Sequence, residues 1–394
     1  MRNIIIVGGE LFNKGAQAMM FIAVNEIKKR FPKHEILVLS PMDLQRPKEE
    51  TINYNFKFIG WYPTKFAKCQ NNKIKRLIYK LRNGQELAEC EKIYKNCDLL
   101  IDISGYALGS NWGVSCCNVY LEHLEFAKEF KIPFYLMPQS FGPFDFQTVE
   151  EKEIDKRIKE LLPKAKLICA REEAGYLQLK KQYGLENVQI KTDIVLNNRG
   201  IDLKNIFKSI PQWDIPNIEG NSVAIIPNSN TIVDEDRNQL ISLYKYIINE
   251  LISLGKKVYL LSHATSDRML CAEIKQEYVS NEQVIWLEQD FNCIEFNEVV
   301  KKFQFVIASR FHAIVHAYKN CIPCISIGWA IKYEELLREF NQEEYAFDVH
   351  HKIEKECILK AICNMEKRKE IEVKKIEEHL KILQKENVFD VLTF

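Results

Sequence analysis

Nothing in these 394 residues approaches the ~18 or more consecutive apolar residues that a membrane-spanning helix needs, which excludes a helical membrane protein as the reading. The opening run Met1-Arg2-Asn3-Ile4-Ile5-Ile6-Val7-Gly8-Gly9 is too short and too abruptly ended for an export signal, and reads instead as a first buried strand. A cytoplasmic protein is expected, at most peripheral at the inner face of a membrane. An excess of charge is also missing: 55 Lys and Arg stand against 54 Asp and Glu, a net charge of +1, so bulk electrostatics give no reason to expect nucleic acid as a partner. The twelve cysteines lack any framework spacing, and without an export signal they are expected to be reduced and buried. Cys321-Ile322-Pro323-Cys324 has the spacing of a redox motif but no second pair that would make a zinc site, and Cys116-Cys117 is read in the same way. No dense group of His, Cys and carboxylates has metal-ligand spacing, so neither a metal nor a cofactor is expected.

What the sequence does contain is two runs of alternating short apolar segments and longer helical periods, with polar residues where strands end. The fold expected from this is α/β, two Rossmann-like domains facing a cleft. The first would occupy residues 1–200 and the second 221–350. Residues 201–220 between them lose periodicity and gather Pro211, Pro216 and Gly220, as a linker does. Residues 351–394 form a tail with Lys and Glu at helical spacing and an intermittent stripe of Ile358, Ile362, Met365, Ile376, Leu380 and Leu383, which reads as a long helix packed across both domains.

The most informative stretch begins at Phe305. Phe305-Val306-Ile307-Ala308 is a buried strand, Ser309 is read as the N-cap of the following helix, and Arg310 and His312 fall in its first turn. Ligands of open α/β sheets bind at the carboxyl ends of strands, and a helix N-terminus favours an anion. A guanidinium beside an imidazole suits phosphate or carboxylate chemistry near neutral pH. The structural alternative is an Arg that pairs with a neighbouring domain and a His satisfied in the core.

Other strand ends carry polar groups of the same kind. Asn13, Lys14, Gly15 and Gln17 open the helix after strand one. Asp102 closes the strand from Leu99, and Ser104-Gly105-Tyr106 with Gly109 to Gly113 follows it as a cradle for a sugar or phosphate. Gln139 and Arg171 end two further strands, each a substrate contact or a structural partner. His263 ends another, with Asp267 four residues on as its prospective orienting carboxylate, and Lys332 can reach an anion from beyond the strand Ile325 to Ile327.

Taken together, Asn13-Lys14-Gly15-Ala16-Gln17-Ala18-Met19, Gln139-Ser140-Phe141-Gly142-Pro143, Arg171-Glu172-Glu173 and Ser309-Arg310-Phe311-His312-Ala313 resemble, in order, the motifs of the polysaccharide pyruvyl transferase family. The resemblance runs over roughly residues 1 to 340. It departs from the family where Ser and Tyr interrupt the glycine run after Asp102, and where Ile194 follows Asp193 in place of a Pro. It implies a glycosyltransferase-B-like architecture and transfer of a pyruvyl group from phosphoenolpyruvate, as donor substrate, to two hydroxyls of a sugar.

On that reading Arg310, Arg171, Lys332 and the helix start after Ser309 hold the donor anion. His312 is the general acid with His263 second, and Asp102 or else Asp193 is the base. Asn13, Gly15, Gln17, Gly105 and Gln139 serve binding. Two other function classes compete: a nucleotide-sugar glycosyltransferase or epimerase, and a non-catalytic glycan- or anion-binding paralogue. Finally, residues 61–82 hold seven Lys and Arg and no acidic residue, interleaved with aromatics. That pattern suits an anionic membrane surface or a lipid- or nucleotide-linked acceptor, or else a solvated helix face.

Overall fold

In the computed structural model, which describes residues 2–60, 73–229, 237–349 and 353–393, all five residues of the first strand are buried. A strand of Asn-Ile-Ile-Ile-Val has no polar face to give to solvent, so it is stable only with both faces covered, the condition under which parallel sheets form. The first sheet contains Asn3–Val7 (β1), Glu35–Leu39 (β2), Lys57–Ile59 (β3), Cys97–Asp102 (β4), Tyr106–Leu108 (β5), Phe134–Phe141 (β6), Leu167–Ala170 (β7) and Val188–Ile190 (β8). Their order is β3-β2-β1-β4-β6-β7-β8, with β5 added beside β6.

The second sheet is built from Ser222–Ile226 (β9), Lys257–Leu261 (β10), Val284–Leu287 (β11), Phe305–Ala308 (β12), Cys324–Gly328 (β13) and Ala346–Asp348 (β14), in the order β11-β10-β9-β12-β13-β14. Pairing is parallel in both sheets. In each sheet the chain first steps one way and then reverses, between β1 and β4 and between β9 and β12. These two reversals open crevices at the carboxyl ends of the strands.

The two halves share one apolar core. Ile4, Met20 and Ile22 of the first half belong to the same buried cluster as Ile225, Phe305 and Ile314 of the second. The helix Lys14–Arg30 forms the joint: Asn13 bridges to Ala264, Lys14 pairs with Asp290 at 3.1 Å, and the Gln17 side chain accepts from the Cys293 N–H at 2.6 Å. Residues 198–221 are mostly irregular, and Phe207 there pairs with Tyr54 of the first half.

The tail helix runs from Lys355 to Leu383, with Ile358, Ile362, Met365, Ile376 and Leu380 buried. The chain then returns to the first half, where Asn387 donates to Glu26 at 2.7 Å and the Tyr135 hydroxyl meets Thr393. No described helix is long and apolar enough to cross a membrane. Of the basic stretch 61–82, residues 61–72 lie outside the described ones, and the remainder is the helix Lys73–Arg82.

Candidate active site

The crevices of the two sheets open onto a common cleft of ≈ 450 Å³. Gly8, Ser104 and Gly105 line it from the β1/β4 side, and Asn228, Arg310 and His312 from the β9/β12 side. A depression of ≈ 560 Å³ beside β3 is larger, but it lies away from both reversals. Physical expectation for open α/β sheets favours the cleft.

Ser309 does not cap the following helix. Arg310 occupies the cap position in extended conformation, and the Ser309 hydroxyl is 2.6 Å from the Tyr244 hydroxyl, fully buried. The chain leaves β12 one residue later than the expected cap allows, which turns Arg310 out of the strand and into the cleft. Its guanidinium is held by both oxygens of Asp267, Nε to Oδ2 at 2.9 Å and Nη2 to Oδ1 at 2.5 Å. Asp267 also accepts from the Ala264 and Ser229 backbone N–H groups, so it is committed to Arg310 and not to His263. The expected His263–Asp267 pair therefore does not form. Neither ring nitrogen of His263 has a hydrogen-bond partner among the described residues, and burial holds its pKa well below the usual imidazole value.

His312 stands in the first turn of the helix Phe311–Lys319. Its Nε2 is 3.6 Å from Asp193 Oδ2. Burial lowers the His312 pKa, while Asp193 pulls it back up. Asp193 divides its two oxygens. Oδ1 caps the helical turn Ile194–Asn197 through the Val195 N–H at 2.8 Å, and Oδ2 faces both His312 and Arg171, the latter at 2.9 Å. Despite burial these charges hold its carboxyl well below the ordinary value. The imidazole has room only because residue 15 is glycine: a Cβ there would lie 2.4 Å from His312 Cγ.

Arg171 is also bound by Glu172 at 2.8 Å and donates to the Ser140 hydroxyl at 2.6 Å, with its guanidinium 4.1 Å from the Phe311 ring centroid. Lys332 differs from both arginines in having no carboxylate partner among the described residues. Its ammonium sits among Tyr106, Trp329, Phe311 and Tyr333, 4.5 to 5.6 Å from the ring centroids. Burial first, then Arg171, lowers its pKa to about 7. One wall of the cleft thus presents two fixed guanidiniums, a polarisable ammonium and an imidazole with a carboxylate behind it. Such a set recognises a small ligand with two anionic groups and can move a proton to it.

The sequence matches the polysaccharide pyruvyl transferase family over residues 13–330. The chain belongs to this family. No curated protein matches it. Among solved structures, Staphylococcus aureus MnaA with UDP aligns at TM-score 0.55 and 12% identity, covering 99% of this chain and 92% of that one. Methanocaldococcus jannaschii UDP-GlcNAc 2-epimerase with UDP-GlcNAc and UDP aligns at 0.53 and 14% identity, with 97% and 99% covered. Medicago truncatula UGT71G1 with UDP-glucose aligns at 0.55 and 10% identity, with 99% and 96% covered. At these identities the likeness concerns the fold, which is that of glycosyltransferase-B enzymes and UDP-GlcNAc 2-epimerases.

Within this pyruvyl transferase chain the remaining expected site residues divide by depth. Asn13, Gly105 and His263 line the cleft. Asn13 accepts from the Gly15 N–H at 2.9 Å and caps its helix. Gln17 is buried in the joint. Gln139 lies fully buried beneath the cleft, donating to Asp102 at 3.1 Å and accepting from the Tyr120 hydroxyl at 3.1 Å. Asp102 is also fully buried, beneath the loop whose Ser104 N–H it accepts at 2.9 Å; its Oδ2 has no partner among the described residues, and burial pushes its carboxyl up to about 6.

The expected cradle after Asp102 is only half one. Gly105 faces the cleft, but Tyr106–Leu108 pairs with β6, and a Cβ on Gly109 would lie 2.4 Å from the Gly142 carbonyl oxygen. Gly109 is there for packing. The aromatic enclosure of Lys332 and the tie of Asp267 to Arg310 were not read from the sequence. The available signal for the first was Trp329 and Tyr333 flanking Lys332. Among the described residues, no three His, Cys, Asp or Glu side chains form a group that could hold a metal ion.

Proposed function

We propose that this transferase moves the pyruvyl group of phosphoenolpyruvate onto two hydroxyls of a sugar, free or nucleotide- or lipid-linked, as a cyclic ketal with release of phosphate. The observation that carries the reading is the meeting of Arg171, Arg310, Lys332 and the His312–Asp193 pair in one cleft of a chain of this family. The donor is small and carries a carboxylate and a phosphate. Two guanidiniums held rigidly by carboxylates set its orientation, and Lys332 supplies the charge that is not already neutralised.

The donor anion favours protonated His312, with Asp193 holding the ring. His312 delivers its proton to the methylene carbon while a sugar hydroxyl oxygen bonds to the enol carbon. The neutral imidazole then accepts that hydroxyl's proton, which restores the acid. In the second half the bond from carbon to phosphate oxygen breaks, and the second hydroxyl closes the ketal. Of the two hydroxyl protons, one is balanced by the new methyl hydrogen and one leaves with phosphate. The phosphate departs toward Lys332 and Arg310, where developing negative charge meets preset positive charge.

The test is release of phosphate from phosphoenolpyruvate with a panel of sugar, nucleotide-sugar and lipid-linked acceptors, wild type beside Arg310→Ala and His312→Ala. Acceptor-dependent release by the wild type alone is expected. Release of a nucleoside diphosphate from a nucleotide sugar, with none from phosphoenolpyruvate, would overturn the reading in favour of a glycosyltransferase.

A further inference from the structure

The helix Lys73–Arg82 has its apolar face turned outward. At 100° per residue Ile74, Leu77, Ile78 and Leu81 fall on one face, the i, i+3, i+4, i+7 pattern that normally packs into a core. Here they are 72%, 60%, 46% and 78% exposed. Tyr79, on the opposite side of the helix, is the residue that packs against the apolar layer of the first sheet. The helix is therefore attached by its back. Its ten residues include five Lys and Arg and no Asp or Glu, and exposed Lys75 and Arg82 lie along one flank of the apolar face.

An outward apolar stripe bordered by cations is complementary to a surface that is apolar beneath and anionic on top. A second copy of the same helix would bring like charges together, which disfavours self-pairing. We propose that Lys73–Arg82 docks the protein on a bilayer containing anionic phospholipid, lying in the interface plane with Ile74, Leu77, Ile78 and Leu81 inserted among the acyl chains and the basic flanks on the headgroups. This assignment rests on no part of the reaction assigned to the cleft, and its test uses no turnover.

The test is flotation of the full chain with vesicles of phosphatidylcholine alone or of phosphatidylcholine mixed with phosphatidylglycerol. The wild type is expected to float with the mixed vesicles only, and binding to weaken as salt is raised. Leu77→Ser with Leu81→Ser, and separately Lys75→Glu with Arg82→Glu, are each expected to lower partitioning by about tenfold or more. The altered side chains are exposed, so the thermal unfolding profile of each variant should match the wild type and show that the fold is kept. Wild type that fails to float with anionic vesicles, or variants that float as well as wild type, would overturn the proposal. So would a dimer in light scattering that the leucine changes dissolve, since the stripe would then be a self-interface.

Discussion

Replacing Lys332 by methionine keeps the length of the side chain and removes its charge. In the fold, burial lowers the ammonium from 10.5 to about 7, a displacement worth about 5 kcal/mol against the charged form. That is the penalty for keeping the ammonium charged in this site. The sign follows from proton counts. Below pH 7 the lysine is charged in both folded and unfolded chains, and the penalty is full. Between 7 and 10.5 the folded chain has released the proton that the unfolded chain still holds, so stability rises with pH and the penalty fades.

Lys332→Met is therefore expected to be more stable than wild type by about 5 kcal/mol near pH 6.5, with the difference gone above pH 10.5. Urea unfolding across that range measures it. The reverse side of the same argument concerns the ligand: a phosphate beside Lys332 restores its proton, so near pH 8 binding of phosphoenolpyruvate should take up close to one proton. Calorimetry in buffers of different ionisation enthalpy reads that uptake, which Lys332→Met should lose along with affinity. Equal stability of the two proteins at every pH, together with identical proton uptake, would refute the assignment of Lys332 as a strained cation held for the donor.

Gly15→Ala should lower turnover by about 100-fold or more and also lower thermal stability, because the new methyl would meet Cγ, Nδ1 and Cβ of His312 at 2.4 to 2.6 Å and the ring must move to admit it. Equal activity would show that His312 is not needed where it stands. Asp193→Asn should reduce kcat far more than it raises donor KM, and should shift the alkaline limb of the pH profile, where His312 loses the proton it must deliver, to lower pH, since the carboxylate that raises the His312 pKa is gone. Asp267→Ala removes the bidentate partner of the partly exposed Arg310 and the acceptor of the Ala264 and Ser229 N–H groups, and should destabilise the fold by about 1–3 kcal/mol in denaturant unfolding. His316 is buried with its pKa lowered to about 3. Between that value and 6.5 the unfolded chain binds the extra proton, so stability falls as pH falls through this window; His316→Gln should flatten the slope by about 1.4 kcal/mol per pH unit.

The strand pattern was legible in the sequence because it is local. Ile4 to Val7, Phe305 to Ala308 and Ser222 to Ile226 are short, β-branched and bounded by Gly, Ser or Pro, and each forms a fully buried strand. The same locality put Arg310, His312, Gly105 and Asn13 at strand ends, and the ordered motifs put the chain in its family. Where one residue of register mattered, locality gave out: Ser309 has the chemistry of a cap, but its hydroxyl meets Tyr244, which is 65 residues away in the chain.

What tertiary structure alone decided is which charge answers which. Asp267 is four residues from His263 and 43 from Arg310, yet it binds Arg310, and Asp193 crosses from the first half to stand behind His312. Asp102 ends β4 as expected, but Gln139 lies inside β6, which runs on to Phe141, and the loop from Ser104 closes over both. Spacing along a chain sets which face of an element a side chain occupies. The partners that tune its charge come from whatever the packing of two sheets brings opposite, and for Lys332 those are four rings, the Arg171 and Arg310 guanidiniums that lower its pKa and the Glu172 carboxylate that raises it.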